Sequence, residues 1–197
     1  MKERKEKLRL IWVGNIPNLL TISRIILTFV IMYMLFTDAS LISIVVIFVI
    51  AALTDFFDGL LARKYNWTSE FGRKADMVAD RFLWAGTAIA FVVAYGLAHK
   101  LGMNEGIQLL LIMSREIISS PFAVLGFFSG KQIPHARFVG KITTLLQGFA
   151  LPAVILSIQY PYWVEISWPL SIITGLVGTI SGFHYIYDLQ KQKGGMK

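Results

Sequence analysis

The sequence predicts an all-α integral membrane protein, built as a bundle of six transmembrane helices with both termini in the cytoplasm. Of its 197 residues, 55% are hydrophobic and only 16% are charged, and the mean hydropathy is +0.62. Ordinary soluble domains are roughly 45–50% apolar and about 25% charged, so this composition argues against a soluble enzyme. The absence of cysteine also excludes a disulfide scaffold, an iron–sulfur cluster and a thiolate zinc site.

Six segments approach the length of about 20 mostly apolar residues that crosses a bilayer. The first of them is long and lacks a small-residue cleavage site, so we expect it to remain as a span and not to be removed as a signal peptide. The predicted spans are Leu19–Phe36, Ala39–Leu61, Val78–Ala98, Ile107–Phe128, Phe138–Ile158 and Ile166–Leu189.

Lysine and arginine alternate in density along the connections between these spans. They are dense in the N-terminal segment, in the second and fourth connections and in the C-terminal tail, whereas the opposite loops hold only Lys100. The positive-inside rule then places both termini in the cytoplasm. The formal net charge of +7 is therefore an orientation signal, and we expect no nucleic-acid partner.

The whole chain, residues 1–197, is expected to form one membrane domain. Residues 1–14 would be a cytoplasmic juxtamembrane segment, residues 15–189 the six-helix bundle, and residues 190–197 a cytoplasmic tail. Within the first segment, Lys2–Trp12 is charged and then apolar. This pattern fits a short amphipathic helix on an anionic leaflet and, equally, a solvated tail.

Ionisable residues at or inside the span ends carry the functional signal, because such groups cost free energy in a membrane. Asp55 and Asp58 share a helical face if the second helix continues through Arg63, and Asp76 and Asp80 share one near the start of the third helix. A short connection makes these helices antiparallel neighbours. We therefore expect the four carboxylates to converge at the cytoplasmic end of the pair.

Four unpaired carboxylates at close quarters would repel one another strongly in a partly dry site. Hard divalent cations take oxygen ligands, and Mg²⁺ commonly combines a few carboxylates with substrate phosphates. Two cations about 4 Å apart would suit four carboxylates and a pyrophosphate. Salt bridges to neighbouring arginines and lysines would explain one such aspartate better than they explain four. We predict Mg²⁺ or Mn²⁺, two ions, bound by Asp55, Asp58, Asp76 and Asp80.

The region around these aspartates resembles the signature of the CDP-alcohol phosphotransferases at every defined position. Three further stretches resemble the phosphatidylglycerophosphate synthase and cardiolipin synthase members of that family, so the likeness extends along the whole chain. The signature reads Asp55-x2-Asp58-Gly59-x2-Ala62-Arg63-x8-Gly72-x3-Asp76-x3-Asp80, and the other stretches are Asn15 through Arg24, Ser114-Arg115-Glu116 and Gly140-Lys141-x-Thr143.

The resemblance implies a membrane transferase of phospholipid biosynthesis. Such an enzyme cleaves the pyrophosphate of a CDP-linked lipid, moves the phosphatidyl group to the hydroxyl of a small polar acceptor, and releases CMP. It implies that Asp80 is the catalytic base, a metal ligand or both. The implied site for the CDP group consists of Asp58, Gly59, Ala62, Arg63 and Gly72.

Four basic residues are candidates for binding the phosphate of the acceptor. Arg115 lies in the middle of the fourth span and should face the bundle interior or a wet cavity, either for phosphate or for a salt bridge to Glu116 or a signature aspartate. Lys141 and Arg137 lie at the cytoplasmic start of the fifth span, where surface charge that sets the topology is the alternative. Arg24 lies one or two turns inside the first span, and extension of its side chain to the interface is the alternative there.

Two departures from the synthase pattern leave the acceptor open. Met77 stands where the synthases commonly have proline, and Arg81 stands where lysine is usual. Glycerol 3-phosphate is the favoured acceptor; inositol phosphate, serine, phosphatidylglycerol or an archaeal lipid substrate are alternatives. A cation transporter with intramembrane aspartates is the rival from another class, but it would not need glycines and alanine at these offsets. The expected setting is a multi-pass homodimer in the cell membrane, with the active site on the cytoplasmic side.

Overall fold

The described part of the molecule consists of helices and short connections and contains no strand, which confirms the all-α prediction. The computed structural model describes the backbone of residues 16–65, 78–79, 81–128 and 138–194, and the side chains of residues 21–54, 78–79, 81–125 and 138–191. The elements are α1 (Ile16–Phe36), α2 (Leu41–Tyr65), a π-helical turn (Phe82–Gly86), α3 (Thr87–Leu97), α4 (Met103–Ile112), α5 (Ser114–Phe128), α6 (Phe138–Ser157), a 3-10 turn (Pro161–Trp163) and α7 (Val164–Gly194).

Several of these helices have the length and composition of membrane spans. Within the described residues, Phe138–Ser157 and Pro161–Lys191 are long and apolar enough to cross a membrane, and α4 and α5 together would make a third, bent span. Shorter apolar helices cover Thr21–Phe36, Leu41–Thr54 and Phe82–Leu97. The chain thus has the character of a helical membrane protein, while the count of six spans stays a prediction.

The predicted fourth span, Ile107–Phe128, corresponds to two helices, α4 and α5, that meet at a bend. The helix breaks at Met113, and the axes of α4 and α5 differ in direction by 49°. The backbone of Met113 has φ −87° and ψ 5°, outside the helical range. The break places Ser114 and Arg115 in the first turn of a new helix, where backbone groups need partners from elsewhere.

The chain divides into two compact units, Met1–Phe91 and Val92–Lys197. In the first unit, α1 and α2 form an antiparallel hairpin whose facing sides are buried at alternating spacings of three and four residues. The opposite sides are apolar and exposed, as suits contact with lipid. The buried positions are Thr21, Arg24, Thr28, Ile31 and Leu35 on α1, and Leu41, Ile44, Phe48 and Ala51 on α2.

The π-helical turn packs against this hairpin through aromatic rings. The ring centroids of Phe82 and Phe29 are 5.3 Å apart, and those of Trp84 and Phe48 are 5.1 Å apart in an edge-to-face arrangement. Such pairs add about 0.5–1.5 kcal/mol to the burial of their surface. The chain that follows position 80 is therefore fixed against both α1 and α2.

The second unit is built around α7, which packs against α4, α5 and α6. The connection between α6 and α7 carries a cluster of aromatic rings, in which Tyr162 lies 6.2 Å from Tyr160 and 5.9 Å from Trp163, centroid to centroid. Amphipathic rings of this kind favour the headgroup region.

Two helices end with a non-glycine residue in the left-handed conformation. Asp38 after α1 and His99 after α3 both have φ 54°. At the second site, the amide of Lys100 donates to the carbonyl of Tyr95 at 2.8 Å and the amide of His99 donates to that of Gly96 at 3.1 Å. These two bonds define a Schellman motif. Glycine most easily adopts the left-handed conformation that this motif requires at the position of His99.

We predict that His99→Gly raises the free energy of unfolding by about 0.5–1 kcal/mol, because glycine adopts this conformation without a Cβ penalty. Unfolding in detergent micelles measures the change. Ala98→Gly is the control. It should lower stability, because the positive φ occurs at His99 and not at Ala98. An equal response of the two variants would contradict the prediction.

Candidate functional site

The first half of the signature lies on one unbroken helix. α2 runs from Leu41 to Tyr65 without interruption, as the sequence predicts for the helix that carries Asp55 and Asp58. Positions 55, 58 and 62 continue the alternating spacing of its buried side, which ends at Ala51 in the described side chains. The backbone register therefore places these signature positions on the side of α2 that, nearer the turn, packs against α1.

The remaining signature positions lie outside the described residues. They are Gly72, Asp76 and Asp80, and the predicted phosphate ligand Arg137 lies outside as well; on α2 the backbone alone is described for Asp55, Asp58, Gly59, Ala62 and Arg63. Among the side chains that are described, no three His, Asp or Glu residues form a group that could hold a metal ion. The four-aspartate metal site stays a prediction.

Arg24 lies inside the first unit, with 0% of its surface exposed. This burial excludes the alternative in which its side chain extends along the helix surface to the interface. A buried guanidinium is retained only where acceptors or anions compensate its charge. The side chain therefore belongs to the interior of the hairpin.

The geometry of the hairpin shows which part of α2 lies level with Arg24 of α1. Arg24 lies twelve residues before the end of α1 at Phe36, and position 53 lies twelve residues after the start of α2 at Leu41. With a rise of about 1.5 Å per residue on both helices, Arg24 is level with position 53, two residues or about 3 Å before the first signature aspartate. The buried positive charge thus lies within about one helical turn of Asp55 along the hairpin.

Arg115 of the second unit is anchored on the first turns of α6. Its Nη1 donates to the hydroxyl of Thr144 at 3.0 Å and to the carbonyl of Gly140 at 3.4 Å. The same nitrogen is 4.0 Å from Oε1 of Glu116, the outer limit of an ion pair. The side chain is 22% exposed, and a Cβ added at Gly140 would lie 3.5 Å from the hydroxyl of Ser181 and 3.7 Å from Nη2 of Arg115, so the guanidinium occupies a polar recess between α5, α6 and α7.

A second set of hydrogen bonds starts from Gln147 on α6. Its Nε2 donates to Oε2 of Glu116 at 2.7 Å and to the carbonyl of Ile112 at 3.0 Å. Ile112 is the last residue of α4, so the amide pairs a backbone carbonyl at the helix break. One buried side chain thereby joins α6 to both sides of the break.

Glycines on α7 let the first turn of α5 approach closely. A Cβ added at Gly175 would lie 3.1 Å from Leu111, one at Gly178 would lie 2.7 Å from the hydroxyl of Ser114, and one at Gly182 would lie 2.9 Å from Ile118. The hydroxyl of Ser114 donates to the carbonyl of Gly175 at 3.1 Å. The glycines at spacings of three and four residues therefore fix the backbone beside Arg115 against α7.

Lys141 is placed differently from Arg115. It lies on the exposed side of α6, together with Phe138 and Leu145, whereas Gly140 lies on the buried side. The structure therefore groups Arg115 with the α6 turn from Gly140 to Thr144, and it leaves the Lys141 side chain outside that recess. Sequence analysis missed the parts played by Gln147 and Thr144, although an amide within an apolar span was an available signal for Gln147.

Comparison with known proteins gives a consistent result. Residues 14–180 match the family model described as CDP-alcohol phosphatidyltransferase. A protein of Rickettsia typhi is 38% identical over 144 residues, 72% of this chain and 76% of the relative, and one of Rickettsia prowazekii is 38% identical over 144 residues, 72% and 75%. One of Salmonella typhimurium is 38% identical over 141 residues, 70% and 74%. All three are named CDP-diacylglycerol--glycerol-3-phosphate 3-phosphatidyltransferase.

We predict that Gly182→Ala lowers the free energy of unfolding by about 1–3 kcal/mol, because its Cβ would overlap the branched side chain of Ile118. Gly106→Ala is the matched control on α4, since nothing lies within 4 Å of its added Cβ. The control should gain up to about 1 kcal/mol from helix propensity. Unfolding in detergent micelles measures both, and a gain at position 182 would contradict the packing described here.

Proposed function

This chain belongs to the CDP-alcohol phosphatidyltransferase family, and we propose that it transfers the phosphatidyl group of a CDP-lipid to the hydroxyl of glycerol 3-phosphate. The supporting observation is the signature at its constrained spacing, whose first half lies on the unbroken helix α2. The names of the relatives support the choice of glycerol 3-phosphate as the acceptor.

The donor set of the signature fits a hard divalent cation. Asp55 and Asp58 are three residues apart on α2 and continue its buried side, so their backbone positions suit two ligands of one site. We propose that these residues, with Asp76 and Asp80, hold two Mg²⁺ or Mn²⁺ ions. When bound, such ions would offset the charge of the pyrophosphate and of the departing CMP.

The residues between the aspartates are proposed to receive the nucleotide. Gly59 and Ala62 follow on the same helix and present little side-chain bulk, so that a flat cytidine ring can approach the backbone. Gly72 would do the same on the opposite side of the site. Arg63 would face the phosphates, because guanidinium groups bind phosphate oxygens in pairs.

Asp80 is the proposed catalytic base. An alcohol is a weak nucleophile, so a carboxylate placed beside the acceptor hydroxyl accepts its proton as the new bond forms. The acceptor oxygen becomes bonded to the phosphorus of the phosphatidyl group, and the bond from that phosphorus to the bridging oxygen of CMP breaks. The π-helical turn that begins two residues after Asp80 packs on α1 and on α2, the helix that carries Asp55 and Asp58.

Arg115 is the proposed ligand of the acceptor phosphate. In the described part of the chain its hydrogen bonds to Thr144 and Gly140 both use Nη1, so Nη2 and Nε keep donors for an anion. Its partial exposure gives a ligand access to the recess. Arg24, Arg137 and Lys141 are proposed to add positive charge to the acceptor site.

The proposed setting follows from the charges and apolar helices. Six spans, cytoplasmic termini and an active site at the cytoplasmic side of the cell membrane account for the clustering of basic residues in alternate connections. We also propose a homodimer. Open space beside Gly96 on α3 supports it, because small residues let helices of two copies approach closely.

The proposed function predicts that purified protein releases CMP from CDP-diacylglycerol when glycerol 3-phosphate and Mg²⁺ are present. Glycerol, inositol phosphate, serine and phosphatidylglycerol form the acceptor panel, and CMP release with product analysis is the measurement. We expect glycerol 3-phosphate to give the highest kcat/KM. A higher kcat/KM for inositol phosphate would identify that compound as the acceptor instead. If no acceptor in the panel gave CMP release, the proposal of a transferase would be contradicted.

A second prediction concerns the signature. Asp55→Asn should lower acceptor-dependent CMP release by on the order of 100-fold or more, because it removes a proposed ligand of the metal ions. Asp38→Asn is the matched control: it makes the same chemical change in the turn at the other end of the hairpin, where φ is 54° and asparagine is well tolerated. The control should stay within about twofold of wild type. Equal losses in both variants would remove the support for a role of Asp55 in catalysis.

A further inference from the structure

We infer that Gln147 is a positioning residue for Arg115, and that it keeps this arginine available to the acceptor by holding Glu116 away from it. The inference rests on the proposed function, in which Arg115 binds the phosphate of the acceptor. Gln147 itself lies on α6 with 1% of its surface exposed, so it does not meet the acceptor directly.

The geometry around Glu116 carries the inference. Oε2 of Glu116 accepts a hydrogen bond from Nε2 of Gln147 at 2.7 Å, whereas Oε1 of Glu116 lies 4.0 Å from Nη1 of Arg115. A carboxylate and a guanidinium that are free to meet form two parallel hydrogen bonds at about 2.7–2.9 Å. Glu116 and Arg115 are consecutive residues of α5, so their side chains leave the helix in different directions. The bond from Gln147 opposes a closer approach of the Glu116 carboxylate to the guanidinium.

The same amide also fixes the helix break. Its second hydrogen bond, to the carbonyl of Ile112 at 3.0 Å, pairs a backbone group that the bend removes from the regular helical series. In apolar surroundings an unpaired carbonyl costs several kcal/mol, so the bend and the amide depend on each other. Because Arg115 begins the helix after this break, the amide also sets the direction from which its side chain reaches α6.

The competition between Glu116 and phosphate gives the expected consequence. Without the amide, the Glu116 carboxylate can turn onto the Arg115 guanidinium and occupy the donors that the acceptor phosphate needs. The loss should appear as weaker acceptor binding, with little change in the chemical step. A residue that only supported the fold would change the amount of active protein, not the KM for one of the two substrates.

Gln108 provides a matched control in the same unit. It is a second glutamine with 0% exposure, and it lies on α4; with its amide oriented to match its partners, the nitrogen is 2.8 Å from the hydroxyl of Ser167 and the oxygen is 3.3 Å from Nε1 of Trp168. None of these partners contacts Arg115 or Glu116 in the described hydrogen bonds. Gln108→Met therefore removes an equally buried amide without touching the Glu116 contact.

The test measures kcat and both KM values for CMP release by the full chain in detergent micelles, with CDP-diacylglycerol and glycerol 3-phosphate. Gln147→Met keeps the length of the side chain and should raise the KM for glycerol 3-phosphate at least about tenfold, the effect of losing roughly one buried hydrogen bond to a charged group. The kcat and the KM for CDP-diacylglycerol should stay within about threefold. Gln147→Asn, too short to reach both acceptors, should give the same pattern and serves if the first variant fails to fold.

The double variant Gln147→Met/Glu116→Gln separates positioning from packing. It removes the carboxylate that would compete for Arg115, so the KM for glycerol 3-phosphate should recover by at least about threefold relative to Gln147→Met alone. An unchanged KM in both Gln147 variants, or an equal rise in Gln108→Met, would overturn the inference while wild-type activity upholds the proposed function. A wild-type protein that releases no CMP with glycerol 3-phosphate would overturn both.

Discussion

A polar group that leaves water in this protein must find its partner inside the protein, and this constraint decides which side of each helix faces inward. Hydrophobicity cannot decide it, because lipid is as apolar as the core. On α1 the exposed Ile22 and Ile26 are as apolar as the buried Ile31, whereas Arg24 and Thr28 are wholly buried. The polar residues therefore set the rotation of the helix, and the apolar residues fill whichever positions remain.

The same constraint explains why the recess around Arg115 is built at a helix break. Breaking a helix in apolar surroundings leaves backbone groups to be paired, and here Gln147 pairs one from α6 while Ser114 reaches the backbone of α7 at Gly175. These partners come from two other helices. A break of this kind gathers polar side chains at one depth, so the scaffold that satisfies the backbone also brings together the groups that can bind an anion.

Helices with strong local patterns could be predicted from the sequence, and the break could not. The predicted spans Leu19–Phe36 and Phe138–Ile158 agree with α1 and α6 to within three residues. Met113 has neither proline nor glycine beside it, and the polar run Ser114-Arg115-Glu116 that follows it is equally compatible with a continuous helix, so no local signal identifies the bend. Pro121 and Pro152, which do carry such a signal, lie inside continuous helices. The bend depends on contacts from residues more than thirty positions away, such as Gln147.

The candidate site divides in the same way. The spacing of the signature is local, so the sequence alone indicates the donor chemistry, whereas the recess proposed for the acceptor joins Arg115 to Thr144, which only folding brings together. The recess nevertheless suggests which acceptors would suit it. Because Gln147 holds the Glu116 carboxylate 4.0 Å from the guanidinium, the remaining donors of Arg115 suit a ligand with several acceptor oxygens. A phosphate ester, with a charge of about −1.5 to −2 and three acceptor oxygens, can pair with them. A neutral alcohol cannot, so this arrangement favours a phosphorylated acceptor over serine or unphosphorylated inositol.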